Sequence, residues 1–347
     1  MKIGKRGLLV LAALPLVFLL NACAGASGGN TASRLDTIKN RGRLICGVSG
    51  GLPGFSYVKP SGEYAGIDVD VCRAIAAAIF DDPKKVDFRN LNTKERFTAL
   101  QTGEVDILSR NTTWTISRDT SVGLEFAPVV FYDGQGIMVK KNSNVKKLEE
   151  LKGKSICTQT GTTNEQNLSD QMRQRGVTYK PLVFEDVNTA FAAYEQGRCE
   201  AVTADRSGLV SRRAIMKKPD DHVVLDIVMS KEPLAPAVVN GDSRWSDVVK
   251  WTVFALINAE ELGVNSKNVN QLTSSTNPEV KRLLGTEGDL GTGTGLTNDF
   301  AARIIKHVGN YGEVYERNLG KNSELKLDRG QNRLWNQGGI LYAPPFR

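Results

Sequence analysis

The sequence predicts an α/β protein of two related lobes, each built on a mostly parallel sheet, and three observations carry that expectation. Short apolar strands alternate with amphipathic helices between Leu44 and Leu108. Strand, helix, strand, helix, strand in that order implies parallel strands joined by right-handed crossovers. The same alternation returns between Ser155 and Thr203. Finally, Phe97, Gly103, Asp106 and Ser109 recur as Phe191, Gly197, Glu200 and Thr203, each 94 residues further on. Helix, glycine, strand units resemble one another by composition alone, so this echo supports the alternation rather than standing by itself. The 347 residues also fit two domains at about 150 residues each.

In chain order, the first 23 residues read as an export leader. Lys2, Lys5 and Arg6 precede the apolar run from Leu8 to Leu20, which is short for a membrane span. Two endings compete: Ala22-Cys23-Ala24 fits the small-x-small rule of ordinary signal peptides, and Leu20-Asn21-Ala22-Cys23 resembles a bacterial lipoprotein signal with Cys23 lipidated. The second is favoured, because residues 24–34 then form the Gly/Ser/Asn-rich tether that an anchored domain needs. Leu35 to Arg41 reads as a helix ended by Gly42, and Leu44 to Val48 as a strand. A loop with Gly50, Gly51, Pro53, Gly54 and Phe55 follows, then a hairpin-like turn at Pro60-Ser61-Gly62 and a helix from Val71 to Phe80. Val86 to Leu91 is a strand. Thr93 is placed to cap the next helix, which Gly103 closes before the strand Val105 to Leu108.

The second lobe reads as strand Ser155 to Gln159, a turn at Gly161-Thr162-Thr163, helix Asn164 to Arg175, strand Lys180 to Phe184, helix Val187 to Gln196 and strand Glu200 to Thr203. Beyond Pro236, the helix Val248 to Leu262 carries Trp251, Phe254, Ala255 and Ile257 as a core stripe. Helices at Asn277 to Leu284 and Asp299 to Arg317 flank a Gly/Thr-rich loop, Gly285 to Gly295. No strand precedes that loop and it lacks a GK[ST] ending, so it is not a phosphate-binding P-loop.

Composition narrows the function. With 40% hydrophobic and 24% charged residues the chain can bury a sizeable core. The formal charge of +7 falls to +4 once the three basic residues of the leader are removed, too mild and too dispersed for a nucleic-acid partner. Setting Cys23 aside leaves Cys46, Cys72, Cys157 and Cys199, an even number in an exported chain. Of the three possible pairings, sequence proximity favours Cys46 with Cys72 and Cys157 with Cys199, one bridge per lobe; buried free thiols are the alternative. Each bridge would contribute about 3 kcal/mol through the unfolded state. No CxxC or HxxxH spacing supports a metal site, and no cofactor is expected.

Catalytic patterns are wanting. There is no G-x-S-x-G elbow, the only histidines are His222 and His307, and no pair of carboxylates has a defensible acid/base spacing. Binding patterns are richer. Ser109 to Arg118 packs hydroxyls, an amide and two guanidinium groups directly after a buried strand, where open α/β sheets hold their ligands. A bidentate guanidinium, Arg118, suits a carboxylate. The turn at Gly161 to Thr163 opens a helix whose amides favour an anion, although an ordinary cap at Thr163 is as common. Asp205, at the echoing strand end, would take an ammonium unless it pairs with Arg206. One anion site and one carboxylate across a cleft match the two charges of an α-amino-acid zwitterion.

These residues carry a resemblance. Gly66-Ile67-Asp68-Val69-Asp70, Arg96-Phe97 with Gly103-Glu104-Val105-Asp106, Thr115-Ile116-Ser117-Arg118, Gln159-Thr160-Gly161-Thr162-Thr163 and Ala204-Asp205 look like the periplasmic polar amino-acid-binding proteins of bacterial ABC importers, solute-binding family 3. Ser109 to Trp114, Tyr132-Asp133-Gly134-Gln135-Gly136 and Arg282 to Gly288 are similar to its general L-amino-acid branch. The resemblance implies a type II periplasmic-binding-protein fold, two lobes with a hinge of two crossing strands, closing on ligand as a clamp. Crossings are expected at Gln135 to Lys140 and Ala235 to Asn240, which makes 35–136 and 239–347 a discontinuous lobe 1 and 137–238 lobe 2.

Carried over by position, the resemblance implies that Arg118 binds the α-carboxylate, assisted by Thr113 and the amides around Asn111 and Thr162. Asp205 would bind the α-ammonium, and Phe97 with Phe55 would wall the side-chain pocket. Arg110 would touch the ligand side chain or brace the cleft. Members selective for basic amino acids place an acidic residue near Ser49; Ser49-Gly50-Gly51 here fits a permissive pocket instead. The expected function is a non-enzymatic, monomeric binding protein for L-amino acids, serving the membrane permease of an ABC importer from the periplasm or the outer face of the inner membrane. The rival is a periplasmic cyclohexadienyl dehydratase-like enzyme on the same fold.

Overall fold

The structure is a computed structural model that describes residues 33–347. The leader, the lipidation candidate Cys23 and the tether up to residue 32 lie outside the described residues. Ser33 and Arg34, assigned to the tether by sequence, instead open the first helix, α1 (Arg34–Arg41): the Ser33 side chain accepts from the amide of Leu35, and Gly42 closes the helix in the left-handed conformation.

The strands in chain order are β1 (Leu44–Val48), a meander of β2 (Gly51–Leu52), β3 (Ser56–Val58) and β4 (Tyr64–Ala65), then β5 (Val86–Asn90), β6 (Ile107–Leu108), β7 (Leu124–Phe126), β8 (Phe131–Asp133) and β9 (Gln135–Lys140). There follow β10 (Ser155–Gln159), β11 (Lys180–Phe184), β12 (Ala201–Asp205), β13 (His222–Val224), β14 (Glu232–Leu234) and β15 (Ala237–Val239). Among them run α2 (Ile67–Phe80), α3 (Arg96–Gln101), α4 (Thr163–Gln174), α5 (Val187–Glu195), α6 (Arg206–Ala214) and α7 (Ser243–Glu261).

They form two five-stranded sheets. Lobe 1 has the order β5-β1-β6-β15-β7 and lobe 2 the order β11-β10-β12-β9-β13. In each, the first three strands are parallel, the fourth runs against them, and the fifth, antiparallel to the fourth, runs with the first three again. Apolar helix faces seal the sheets. α2 buries Ile67, Val71, Ile75 and most of its alanines against lobe 1, while α7 contributes Trp245, Val249, Val253 and Leu256. The stripe foreseen for α7 holds at Ala255 and Ile257, with Trp251 and Phe254 partly buried beside them. Lobe 2 packs Leu168 and Met172 of α4 on one face of its sheet and Phe191 and Tyr194 of α5 on the other. Such burial, at about 25 cal/mol per Å² of apolar surface, is the main term holding each lobe together.

One disulfide lies in each lobe, Cys46–Cys72 and Cys157–Cys199, with Cα separations of 6.4 and 5.7 Å. The crossings lie one element away from where the sequence puts them. β9 and β15 belong wholly to the two main sheets. Between the lobes runs instead an antiparallel ribbon of β8 and β14, with Asp133 opposite Glu232 and Phe131 opposite Leu234. The apolar run after Gln135 suits a crossing and a central strand equally, and pairing with β12 makes it the latter.

Candidate functional site

β6 and β12 both end at the cleft beside this ribbon. The segments that leave them, 109–118 and 204–212, line one interlobe cavity. Lobe 1 contributes Arg96, Arg110, Asn111, Thr113 and Arg118; lobe 2 contributes Thr162, Asn164, Phe191, Asp205 and Arg212. Several bonds tie the walls together in this closed arrangement. Thr93 donates its hydroxyl to the carbonyl of Thr160 at 2.8 Å, Ser211 to that of Pro53 at 2.6 Å, and Arg212 to that of Gly51 at 2.9 Å.

Arg118 sits in a single π-helical turn, Ser117–Ser121, a distortion often found at functional positions. Its Nη1 donates to the carbonyl of Thr113 at 2.7 Å, and its guanidinium lies 5.4 Å from the Phe97 ring centre. Only 8% of Arg118 is exposed. Burial lowers its affinity for its proton, while the nearby carboxylates of Glu232 and Asp205 act the other way and keep it charged. Arg110 is deeper still. Its Nε donates to the carbonyl of Leu91 at 2.7 Å, and burial brings its pKa down to about 10.

Asp205 stands at the N-cap position of α6 without making a capping bond, and its carboxyl group accepts from the side-chain amide of Asn164 at 2.9 Å. Burial, with repulsion from Asp133 and Glu232, pushes its pKa up to about 8. The alternative pair with Arg206 does not form: Arg206 turns away and donates to the carbonyls of Leu225 and Ile227 at 2.9 and 3.0 Å.

Several expectations need correction. The Asn111 backbone N–H is not available to an anion, because it donates to Asp68 at 3.1 Å. Thr113 lines the cavity, but its hydroxyl donates to Glu232 at 2.5 Å. The cap of α4 is Thr162 rather than Thr163, accepting from the amide of Glu165 at 3.2 Å, while the N–H of Gly161 is taken by the Glu165 carboxylate at 3.1 Å. Thr93 bridges the lobes instead of capping α3, whose cap position is Glu95. Phe55 is 1% exposed and packs edge-on against Phe131 within the core of lobe 1, away from the cavity. Phe97 lies behind the wall, within 4.6 Å of the Arg96 guanidinium, and braces both arginines. The apolar wall is Leu52, Val187 and Phe191 instead.

Three further residues carry weight. Arg96 is 2% exposed, with one long bond of 3.3 Å to the carbonyl of Gly161 and its Nε unpartnered among the described residues. Arg212 stacks on Phe191 at 5.1 Å and also has a buried Nε without a partner. It follows Asp205 by seven residues, two helical turns, and that spacing is the signal that would have put it on the same face. Glu232 is 1% exposed in the hinge ribbon and accepts from Thr113 of lobe 1 and from Thr163 and Asn167 of lobe 2, the last two at 2.8 Å. Nothing in the sequence around Glu232 distinguishes it. Only the crossing of the two strands brings donors from both lobes to it. Among the described residues no cluster of His, Cys, Asp or Glu could hold a metal, and no helix is long and apolar enough to cross a membrane.

Residues 44–287 match the family described as bacterial extracellular solute-binding proteins, family 3. The chain is 54% identical over 337 residues to the general L-amino acid-binding periplasmic protein AapJ of Rhizobium johnstonii, covering 95% of this chain and 99% of that one. It is 49% identical over 322 residues to the glutamate/glutamine/aspartate/asparagine-binding protein BztA of Rhodobacter capsulatus, covering 92% and 95% respectively. Among solved structures, an ABC transporter periplasmic binding protein from Brucella ovis with glutathione bound superposes with a TM-score of 0.89 at 52% identity, covering 91% of this chain and all of that one.

Proposed function

The chain belongs to the bacterial extracellular solute-binding proteins, family 3, and on that footing we propose that it captures L-amino acids of many kinds outside the inner membrane and hands them to an ABC permease. One observation carries this reading: the Arg118 guanidinium and the Asp205 carboxyl group, which ionises beside an ammonium, come from different lobes and line the same buried cavity. Arg118 takes the α-carboxylate in its unused donors, and Asp205 takes the α-ammonium. These two contacts are common to every α-amino acid, so they supply affinity without choosing a side chain. Micromolar binding requires about −8 kcal/mol, within reach of two desolvated charge pairs plus closure. A peptide with a free α-amino-acid head, as in the glutathione bound by the Brucella ovis protein, offers the same two charges.

The protein acts as a monomer with no catalytic group, from the periplasm or held to the membrane through Cys23. The relatives above are named as binding proteins, which favours this over a dehydratase. A thermal-shift panel over the common L-amino acids, with D-forms as controls, checks the proposal. Several L-forms should raise the melting temperature as RT ln(1 + [L]/Kd) while D-forms do not. Stabilisation by one amino acid alone would remove the breadth; conversion of arogenate or prephenate would establish the enzyme instead.

A further inference from the structure

The charges around the cavity are more than a bare zwitterion uses. Four guanidinium groups line it, those of Arg96, Arg110, Arg118 and Arg212, against one lining carboxylate, Asp205. Asp68 lies behind Arg110 and Glu232 behind Arg118, so these two have counter-charges within the walls. Arg212 feels the carboxylates of Asp186 and Glu195, but neither lines the cavity or accepts one of its hydrogen bonds. It reaches from α6 across the cleft, and its Nη1 is held by the carbonyl of Gly51 at 2.9 Å and by Asn188 at 2.8 Å, both neutral acceptors. Its Nε is buried without a partner among the described residues. Buried guanidinium donors that lack acceptors are costly, and their persistence in a cavity wall points to an acceptor brought by the ligand.

The position fixes which part of the ligand that would be. Arg212 stands over Phe191 and is bonded to the carbonyl of Gly51, next to Leu52, so it belongs with the apolar wall, while Arg118 and Asp205 account for the α-groups. Arg110 shares the neighbourhood, since both it and Arg212 feel the carboxylate of Asp186. Asp186 does not neutralise them at short range: it is exposed, and its carboxylate accepts from the backbone and hydroxyl of Thr189 at 2.9 and 3.1 Å.

We infer that Arg212, with Arg110, forms a second, anion-directed subsite that takes the side-chain carboxylate of the ligand, so that acidic L-amino acids bind most tightly and basic ones least. This inference rests on the amino-acid-binding reading above and assigns a rank within it. Because Arg212 is positioned by contacts to lobe 1, the subsite is completed only on closure, and an acidic side chain also favours the closed form.

Calorimetric titration of the purified protein with L-glutamate, L-alanine and L-lysine tests it. A charge-assisted contact of about 1.5–3 kcal/mol makes glutamate about tenfold to a hundredfold tighter than alanine, with lysine weaker than both. In Arg212→Met the loss of the bond to Gly51 weakens both ligands alike, and the glutamate-to-alanine ratio should in addition collapse toward one. Arg212→Lys, which keeps the charge, should retain a preference for glutamate and serves if the methionine variant does not fold. Equal binding of glutamate and alanine by the wild type, or weakening of both in Arg212→Met at an unchanged ratio, overturns the subsite and leaves amino-acid binding intact. Failure of the wild type to bind any of the three overturns the underlying reading instead.

Discussion

In lobe 1 the strand β6 runs out into Arg110 and, after a short loop, Arg118; in lobe 2 the corresponding strand β12 runs out into Asp205. Up to those strand ends the lobes are built alike. Asp106 accepts from the amide of Ile45 at 2.6 Å, and Glu200 accepts from the amide of Ser155 at the same distance, tying the starts of the equivalent strands β1 and β10. Gly103 and Gly197 both stand at φ 78°, ending the helix before that carboxylate in a conformation that glycine adopts without strain. One scaffold therefore appears twice, and what differs is the charge placed where the strand stops. On the proposed function, binding resides in those ends rather than in the frame. Splitting the two charges between lobes leaves each with half a site, so closure and ligand capture become one event.

The largest test of this division removes one charge at a time. Arg118→Ala and Asp205→Ala should each cost about 3–5 kcal/mol of amino-acid binding by calorimetry, since each leaves the opposite ligand charge buried and unpaired. Near-native affinity in either variant would end the division of labour between lobes.

A smaller effect is expected at the hinge. Glu232 receives donors from both lobes and has no counterpart within either repeat. Glu232→Gln replaces one acceptor oxygen by a donor facing donors, and should weaken binding by about 1.5–3 kcal/mol with little change in the far-ultraviolet circular dichroism. Loss confined to global stability would make it a hinge support only.

A third effect is a pH dependence centred on Asp205 in lobe 2. Asp205 holds its proton more tightly folded than unfolded, its pKa raised from 3.8 to about 8. The stability this lends the ligand-free protein is fully present below the unfolded value and is lost as pH rises through about 8. Urea unfolding across that range should therefore give a shallower decline in Asp205→Asn than in the wild type. Ligand reverses the sign, because an ammonium favours ionised Asp205. Binding then expels a proton, and affinity falls by at most about tenfold per pH unit below 8. Calorimetry in buffers of different protonation enthalpy reads that proton directly, and no buffer dependence would place the ammonium elsewhere.

What the sequence determined by itself is what local chemistry and periodicity can specify. Strands β1, β10 and β11 stand where their apolar runs begin and end, and the echo of Phe97 to Ser109 in Phe191 to Thr203 marks two real lobes. The strand-end placement singled out Arg110, Arg118 and Asp205, because in parallel sheets a polar residue after a buried strand emerges at the cleft. Tertiary structure alone decided the rest. Phe55 and Phe97 are aromatic and near the cleft in sequence, yet packing put one in the core and the other behind two arginines. Thr113 and Asn111 carry the groups an anion wants, but Glu232 and Asp68 engage them first. Glu232 became visible only when the hinge strands crossed, and the spacing that puts Arg212 on the face of Asp205 gained meaning only when α6 met Gly51. A side chain's chemistry is local, but its free donors and acceptors are what remain after distant residues have taken their share, and that remainder is fixed only by the fold.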